Sequence, residues 1–108
     1  MTRRVEGSLI TGHVGGEGLF ATPAMIGLME LASHRAVEPL LPAGLTTVGY
    51  EVHVRHLAPA SPRTEVEVRS VLREVDGRKL LFDVECRQGD RMIGSGTHRR
   101  TVVPALGR

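Results

Sequence analysis

Tryptophan is absent from this 108-residue chain, and two Phe and one Tyr are its only aromatics, so the interior must be built from Val, Leu, Ile and Met. A single cysteine, Cys86, excludes a disulfide within the chain and points to a reducing, cytoplasmic setting. No apolar run approaches the roughly 20 residues of a membrane span, and the opening MTRRVEG lacks the apolar stretch of a signal peptide. Charge of one sign is not concentrated anywhere. The 14 Lys and Arg stand against 12 Asp and Glu spread along the chain, so the clustered basic face that nucleic acid requires is missing. Metal-ligand spacing is missing too: His53 and His56 would project to opposite faces of a strand, and His34, Cys86 and His98 form no known pattern. Neither a metal nor another cofactor is expected, and neither nucleic acid nor membrane is an expected partner.

What is present fits one domain over residues 1–108, with 104–108 a frayed tail. Residues 5–12 are a short strand candidate, and glycines at 12, 15, 16 and 18 mark a flexible loop as far as Phe20. Thr22-Pro23 has the pattern of a helix start, with Thr as N-cap. The segment that follows is apolar around most of its circumference until Pro39 and Pro42, which predicts a buried helix. After Gly44 the apolar period becomes two. Val48, Tyr50, Val52, Val54 and His56 then share one strand face, and Gly49, Glu51, His53 and Arg55 the other. A second strand puts Val66, Val68, Ser70 and Leu72 inward, and a hairpin at Asp76-Gly77 leads to a third with Leu80, Phe82, Val84 and Cys86 inward. The last strand, residues 91–103, carries Gly94 and Gly96 where a helix must approach closely. One apolar helix and four long antiparallel strands are buried together only if the sheet wraps the helix, which is the α+β hot-dog layout.

Three strings carry a resemblance. FATPAMIGLME at 20–30, VHVRHLAP at 52–59 and GSGTHRR at 94–100 resemble, in order and spacing, segments of the fluoroacetyl-coenzyme A thioesterase family. The resemblance covers about four-fifths of the chain, from Phe20 to Val103. It implies that Thr22, Glu30 and His56 are catalytic, that Gly49 helps hold the thioester carbonyl through its backbone N–H, and that Arg100 stands near the site. It also implies a homodimer with a continuous sheet and active sites at the subunit boundary. Two departures are plain: the long segment bearing aromatic lid residues is replaced by the Gly-rich run 12–20, and Leu31 follows the glutamate where the family has an aromatic.

Each of these residues also has a reading without catalysis. Glu30 is the only acid between Gly18 and Arg35, and desolvation in its apolar surroundings would raise its pKa; alternatively it pairs with His34 one turn on. His56 ends the apolar strand face on the side of the helix, where it can meet Glu30, or it is a hydrogen-bonded core histidine. Thr22 is explained by capping unless the resemblance holds, and eight residues of helix would set it roughly 12 Å along the axis from Glu30. Arg100 is otherwise a solvated cation, Gly49 a small residue at a sheet twist, and Phe20 a wall of the acyl pocket or a core plug.

Thioester hydrolysis needs a nucleophile, donors for the developing oxyanion and a proton for the departing thiolate. Thr22, Glu30 and His56 cover those tasks, with Phe20, Gly49 and Arg100 contacting a short or medium acyl-coenzyme A substrate. Two rival readings stay open at this level: a non-catalytic acyl-coenzyme A binding module, and an enoyl-coenzyme A hydratase or dehydratase on the same fold.

Overall fold

The segment rich in Ala, Leu and Met forms helix α1, Thr22–Val37, and its Met25, Leu28, Met29 and Val37 are buried. The computed structural model describes residues 1–106. In it the helix lies in the hollow of a five-stranded antiparallel sheet. The strands are β1, Thr2–Arg4; β4, Leu45–His56; β5, Glu65–Asp76; β6, Lys79–Gln88; and β7, Arg91–Pro104. Their order is β1-β5-β6-β7-β4, which leaves β4 at one edge. A separate ribbon pairs β2, Ile10–Thr11, with β3, Leu19–Phe20, just ahead of the helix.

The inward faces of β5 and β6 supply Val66, Val68, Leu80, Phe82, Val84 and Cys86 to the core, as the period of two predicts. Leu72, paired with Phe82 on that same face, is nonetheless 37% exposed, at the edge of a register shift between Leu72 and Glu74. Complete burial of side chains the size of Met25 or Phe82 contributes about 1.5–3 kcal/mol each, and this aliphatic core is what holds helix to sheet. Gly94 permits the closest approach. A Cβ there would lie 2.5 Å from Met25 Sδ on the helix, whereas one at Gly96 would meet the backbone of β4 and not the helix as expected.

Other expectations are corrected. The amino-terminal strand covers Thr2–Arg4, and of the expected 5–12 only Ile10–Thr11 is strand, because Gly7 at φ 57° turns the chain into a short 3-10 helix at Gly7–Leu9. The tail is not frayed at its start: Pro104 pairs with Leu45, and the Ala105 N–H donates to the Gly44 carbonyl at 2.8 Å. Residues 107–108 of that expected tail lie outside the described residues.

The largest correction concerns β4. Gly49 pairs with Arg100 and Glu51 with Arg99, so Tyr50 is an extra residue and the strand carries a β-bulge. The bulge reverses the alternation. Thr47 is buried and Gly49 faces the helix, while Val48 and Tyr50, expected inward, are each 46% exposed. Beyond the bulge Val54 packs against the core, and the expected parity holds.

Candidate active site

Thr22 opens α1 and His56 closes β4, and the fold brings these two ends together. The position before the helix is Ala21, in extended conformation, and no side chain caps the helix. Thr22 is therefore not the N-cap. Its Oγ1 lies 2.8 Å from His56 Nδ1 instead. Phe20, 2% exposed, meets the imidazole edge-on at 6.0 Å between ring centres, so it is both core plug and pocket wall. Nε2 of His56 is buried with no hydrogen-bond partner among the described residues. A buried imidazole nitrogen without a partner is unfavourable unless something else engages it.

That pair lines a pocket of about 610 Å³ whose other walls are largely apolar: Val14, Leu19, Phe20, Pro23, Leu57 and Pro59 among them. The Gly-rich run forms one side. Within it Thr11 Oγ1 lies 2.6 Å from His13 Nδ1, so a second hydroxyl–imidazole pair lines the same pocket. Within the run Glu17 lies 2.7 Å from Arg63, a residue at φ 67°, and two backbone bonds close its turns. Sequence reasoning passed over His13, because a lone histidine between glycines carries no periodicity.

Glu30 occupies a different place. Its helix runs unbroken from Thr22, so the axial rise keeps the carboxylate away from the Thr22–His56 pair. His56 thus meets Thr22 and not Glu30 as expected. Nor does Glu30 pair with His34, whose Nε2 lies 3.6 Å from Glu38 Oε2. Its surroundings are Gly49, His98 and Arg100: a Cβ at Gly49 would lie 2.9 Å from Glu30 Oε1, 2.7 Å from His98 Cε1 and 3.2 Å from Arg100 Nη1. Gly49 is required there because those three groups fill the space a side chain would take.

Arg100 is buried, not a solvated cation. Its Nε donates to Thr47 Oγ1 at 2.8 Å, its Nη2 to the Thr47 carbonyl at 2.9 Å, and its Nη1 to His98 Nε2 at 3.2 Å. Burial lowers its pKa, and the negative charges of Glu30 and Glu38 pull it back up. His98 is lowered as well, first by burial and then by Arg100, with the Glu51 carbonyl and Glu30 opposing. Cys86 is no nucleophile: burial pushes its thiol up to about 11.

A family model described as fluoroacetyl-CoA-specific thioesterase matches residues 6–105. This chain belongs to that family. Among its relatives, the fluoroacetyl-CoA thioesterase of Streptantibioticus cattleyicolor is 44% identical over 85 residues, which are 79% of this chain and 61% of that protein. The chain thus spans about three-fifths of the length of that relative. A crystal structure of a variant of a fluoroacetyl-CoA-specific thioesterase in complex with fluoroacetate and CoA superposes with a TM-score of 0.86 at 36% identity, covering 96% of this chain and 90% of the other. A hot-dog-like protein from Thermanaerovibrio acidaminovorans gives 0.88 at 21% identity, covering 97% and 79%, and shows the same fold.

Within this family member the residues singled out from sequence fall into two groups. Thr22, His56 and Phe20 share the pocket; Glu30, Gly49 and the buried Arg100 meet on the inner side of β4. His98, which ties Arg100 to the β4 backbone, was missed as a site residue because on the strand pattern it reads as a plain core position.

Proposed function

We propose that this protein hydrolyses acyl-CoA thioesters of short or medium chain length. The observation that carries the reading is the Thr22–His56 pair at the wall of an apolar pocket. A hydroxyl within hydrogen-bond distance of an imidazole is the arrangement of an activated nucleophile. Thr22 Oγ1 attacks the thioester carbonyl, its proton passes to His56 Nδ1, and the departing thiolate takes that proton away as the free thiol of CoA. Water then hydrolyses the threonyl ester. His56, within reach of the ester, is the base for that water, and Glu30, further along the helix beside Gly49 and Arg100, acts in this second step on another part of the acyl-enzyme. The relative that binds fluoroacetate and CoA supports this substrate class.

The working form is a homodimer. Among the described residues the outer edge of β4, twelve residues long, has no strand partner, and such an edge is an aggregation hazard unless covered. Pairing with its symmetry mate extends the sheet and covers the exposed Val48 and Tyr50, as the family resemblance implies. Light scattering at micromolar concentration reads this directly, and a monomer contradicts it. A cytoplasmic location fits the free thiol of Cys86.

The deciding experiment is a panel of acyl-CoA esters of increasing chain length assayed for released thiol. Thiol release that Thr22→Ala abolishes supports hydrolysis. Binding of the esters without thiol release makes the protein a non-catalytic acyl-CoA module, and hydration of a crotonyl ester without thiol release makes it a hydratase.

A further inference from the structure

Arg100 and Glu30 stand on different elements, and what sets their relation is a third residue. We propose that His98 is a positioning residue of the Glu30 centre: one edge of its imidazole holds the Arg100 guanidinium and the other holds the β4 bulge, so that the cation stands beside the Glu30 carboxylate. The inference rests on Glu30 acting in hydrolysis.

The hydrogen bonds admit a single arrangement. A guanidinium only donates, so the contact of 3.2 Å between Arg100 Nη1 and His98 Nε2 makes that nitrogen the acceptor. The ring proton is then on Nδ1, which donates to the Glu51 carbonyl at 2.8 Å. One neutral tautomer satisfies both contacts, and neither the other tautomer nor the imidazolium does. The ring has no freedom to adopt another pose: it is 1% exposed and stacks on Phe82 with 6.4 Å between centres and 30° between planes. The carbonyl it uses belongs to the residue just after the bulge, where the ladder is interrupted.

Arg100 has three anchors, two on Thr47 and one on His98. The Thr47 contacts fix one side of the fork; His98 fixes Nη1, the atom on the Glu30 side of the Gly49 gap. Without His98 that end of the guanidinium is unanchored, and the carboxylate loses a cation at fixed distance. The groups facing His98 are Arg100 from its own strand, Glu30 from α1, the Glu51 carbonyl from β4 and Phe82 from β6. Among the described residues Nη1 is hydrogen-bonded to His98 alone, and to neither the Glu30 carboxylate nor the Glu51 carbonyl.

The test compares pH–rate profiles of acyl-CoA hydrolysis for the wild type, His98→Phe and His98→Gln, with Glu30→Gln in parallel. His98→Phe keeps the ring and its stacking but offers neither donor nor acceptor. We expect it to lose roughly tenfold or more in kcat with KM little changed, since misplacing a catalytic group costs up to about a hundredfold, and to shift the acid limb of the profile upward, since a carboxylate that loses a nearby cation ionises later. His98→Gln places an amide oxygen near the site of Nε2 and should recover most of the loss. A role in stability alone would lower the melting temperature and leave the profile of the folded enzyme in place. A folded His98→Phe with wild-type kcat and acid limb overturns the inference. If that variant does not fold, His98→Asn, which retains a donor for Glu51 but reaches no acceptor to Arg100, replaces it, and a wild-type profile there overturns it equally. Full activity in Glu30→Gln removes the reading beneath; an inactive Glu30→Gln beside wild-type His98 variants removes this inference alone.

Discussion

The Thr22 hydroxyl sits 2.8 Å from His56 Nδ1, although 34 residues separate the two in the chain. Since that hydroxyl caps nothing, Thr22→Ala should change stability by less than the ~1 kcal/mol of a lost N-cap, while hydrolysis falls at least about a hundredfold. Thr22→Ser should stay far closer to wild type. Melting curves beside thiol-release rates check both halves, and a large drop in stability with unchanged activity would return Thr22 to a structural role.

Glu30→Gln removes a carboxylate needed in the second step and leaves the Thr22–His56 pair intact. Turnover should fall at least about a hundredfold, the low end for acid–base catalysis. One equivalent of thiol should still be released in a burst, with the acyl group retained on Thr22 and visible by mass spectrometry. Slow release without a burst places Glu30 in the first step.

Stability should decline on mild acidification. The His98 pKa is lowered in the fold by burial, whereas the unfolded chain takes up its proton near 6.5. The unfolded state therefore binds more protons between the folded pKa and 6.5; stability from this group is complete above that range and is lost as pH falls through it. Denaturant titrations from pH 7 downward read this slope, and His98→Gln should flatten it. An equal slope in the variant assigns the effect elsewhere.

Gly49→Ala should impair catalysis more than folding. The new methyl would stand 2.9 Å from Glu30 Oε1 and 2.7 Å from His98 Cε1, so the polar groups must move apart. Gly94→Ala is the contrasting case: its methyl meets Met25 in the core, and a stability cost of about 1–3 kcal/mol is expected for that overpacking. Melting temperature and kcat measured for both variants separate the two effects.

Selectivity for fluoroacetyl over acetyl groups should be weak. The resemblance implies an aromatic lid where this chain has a Gly-rich run, and an aromatic where it has Leu31 after Glu30; the apolar pocket then changes transition-state binding by only about 1–3 kcal/mol per methylene. Rates across acetyl, fluoroacetyl, butyryl and hexanoyl esters should be graded. A preference for fluoroacetyl above about a thousandfold would show that selectivity resides outside the lid.

Much of the fold was legible because its signals are periodic: the apolar helix between Thr22 and Val37, and the alternation through Val66, Val68, Phe82 and Val84. The bulge at Tyr50 was not, because one extra residue leaves no mark in a run of alternating Val and polar residues, and the face assigned to Val48 and Tyr50 was reversed with it. The site was legible as a set of residue types and not as a geometry. Thr22, Glu30 and His56 stand out in the sequence, but that His56 bonds Thr22 while Glu30 lies with His98 and Arg100 depends on where β4 ends and on which side of it Gly49 falls.

That extra residue is a phase shift of half a pleat. Upstream of Tyr50 the odd-numbered positions of β4 face the helix; downstream the even-numbered ones do, through Val54 to His56. A single strand thereby serves Glu30 with one phase and Thr22 with the other. Deleting one residue here would leave every residue type in place and yet turn either Gly49 or His56 to the outer surface, because a slip of one position inverts a strand's faces. Two chains of this family are comparable site by site only when both keep the shift, whatever their identity elsewhere.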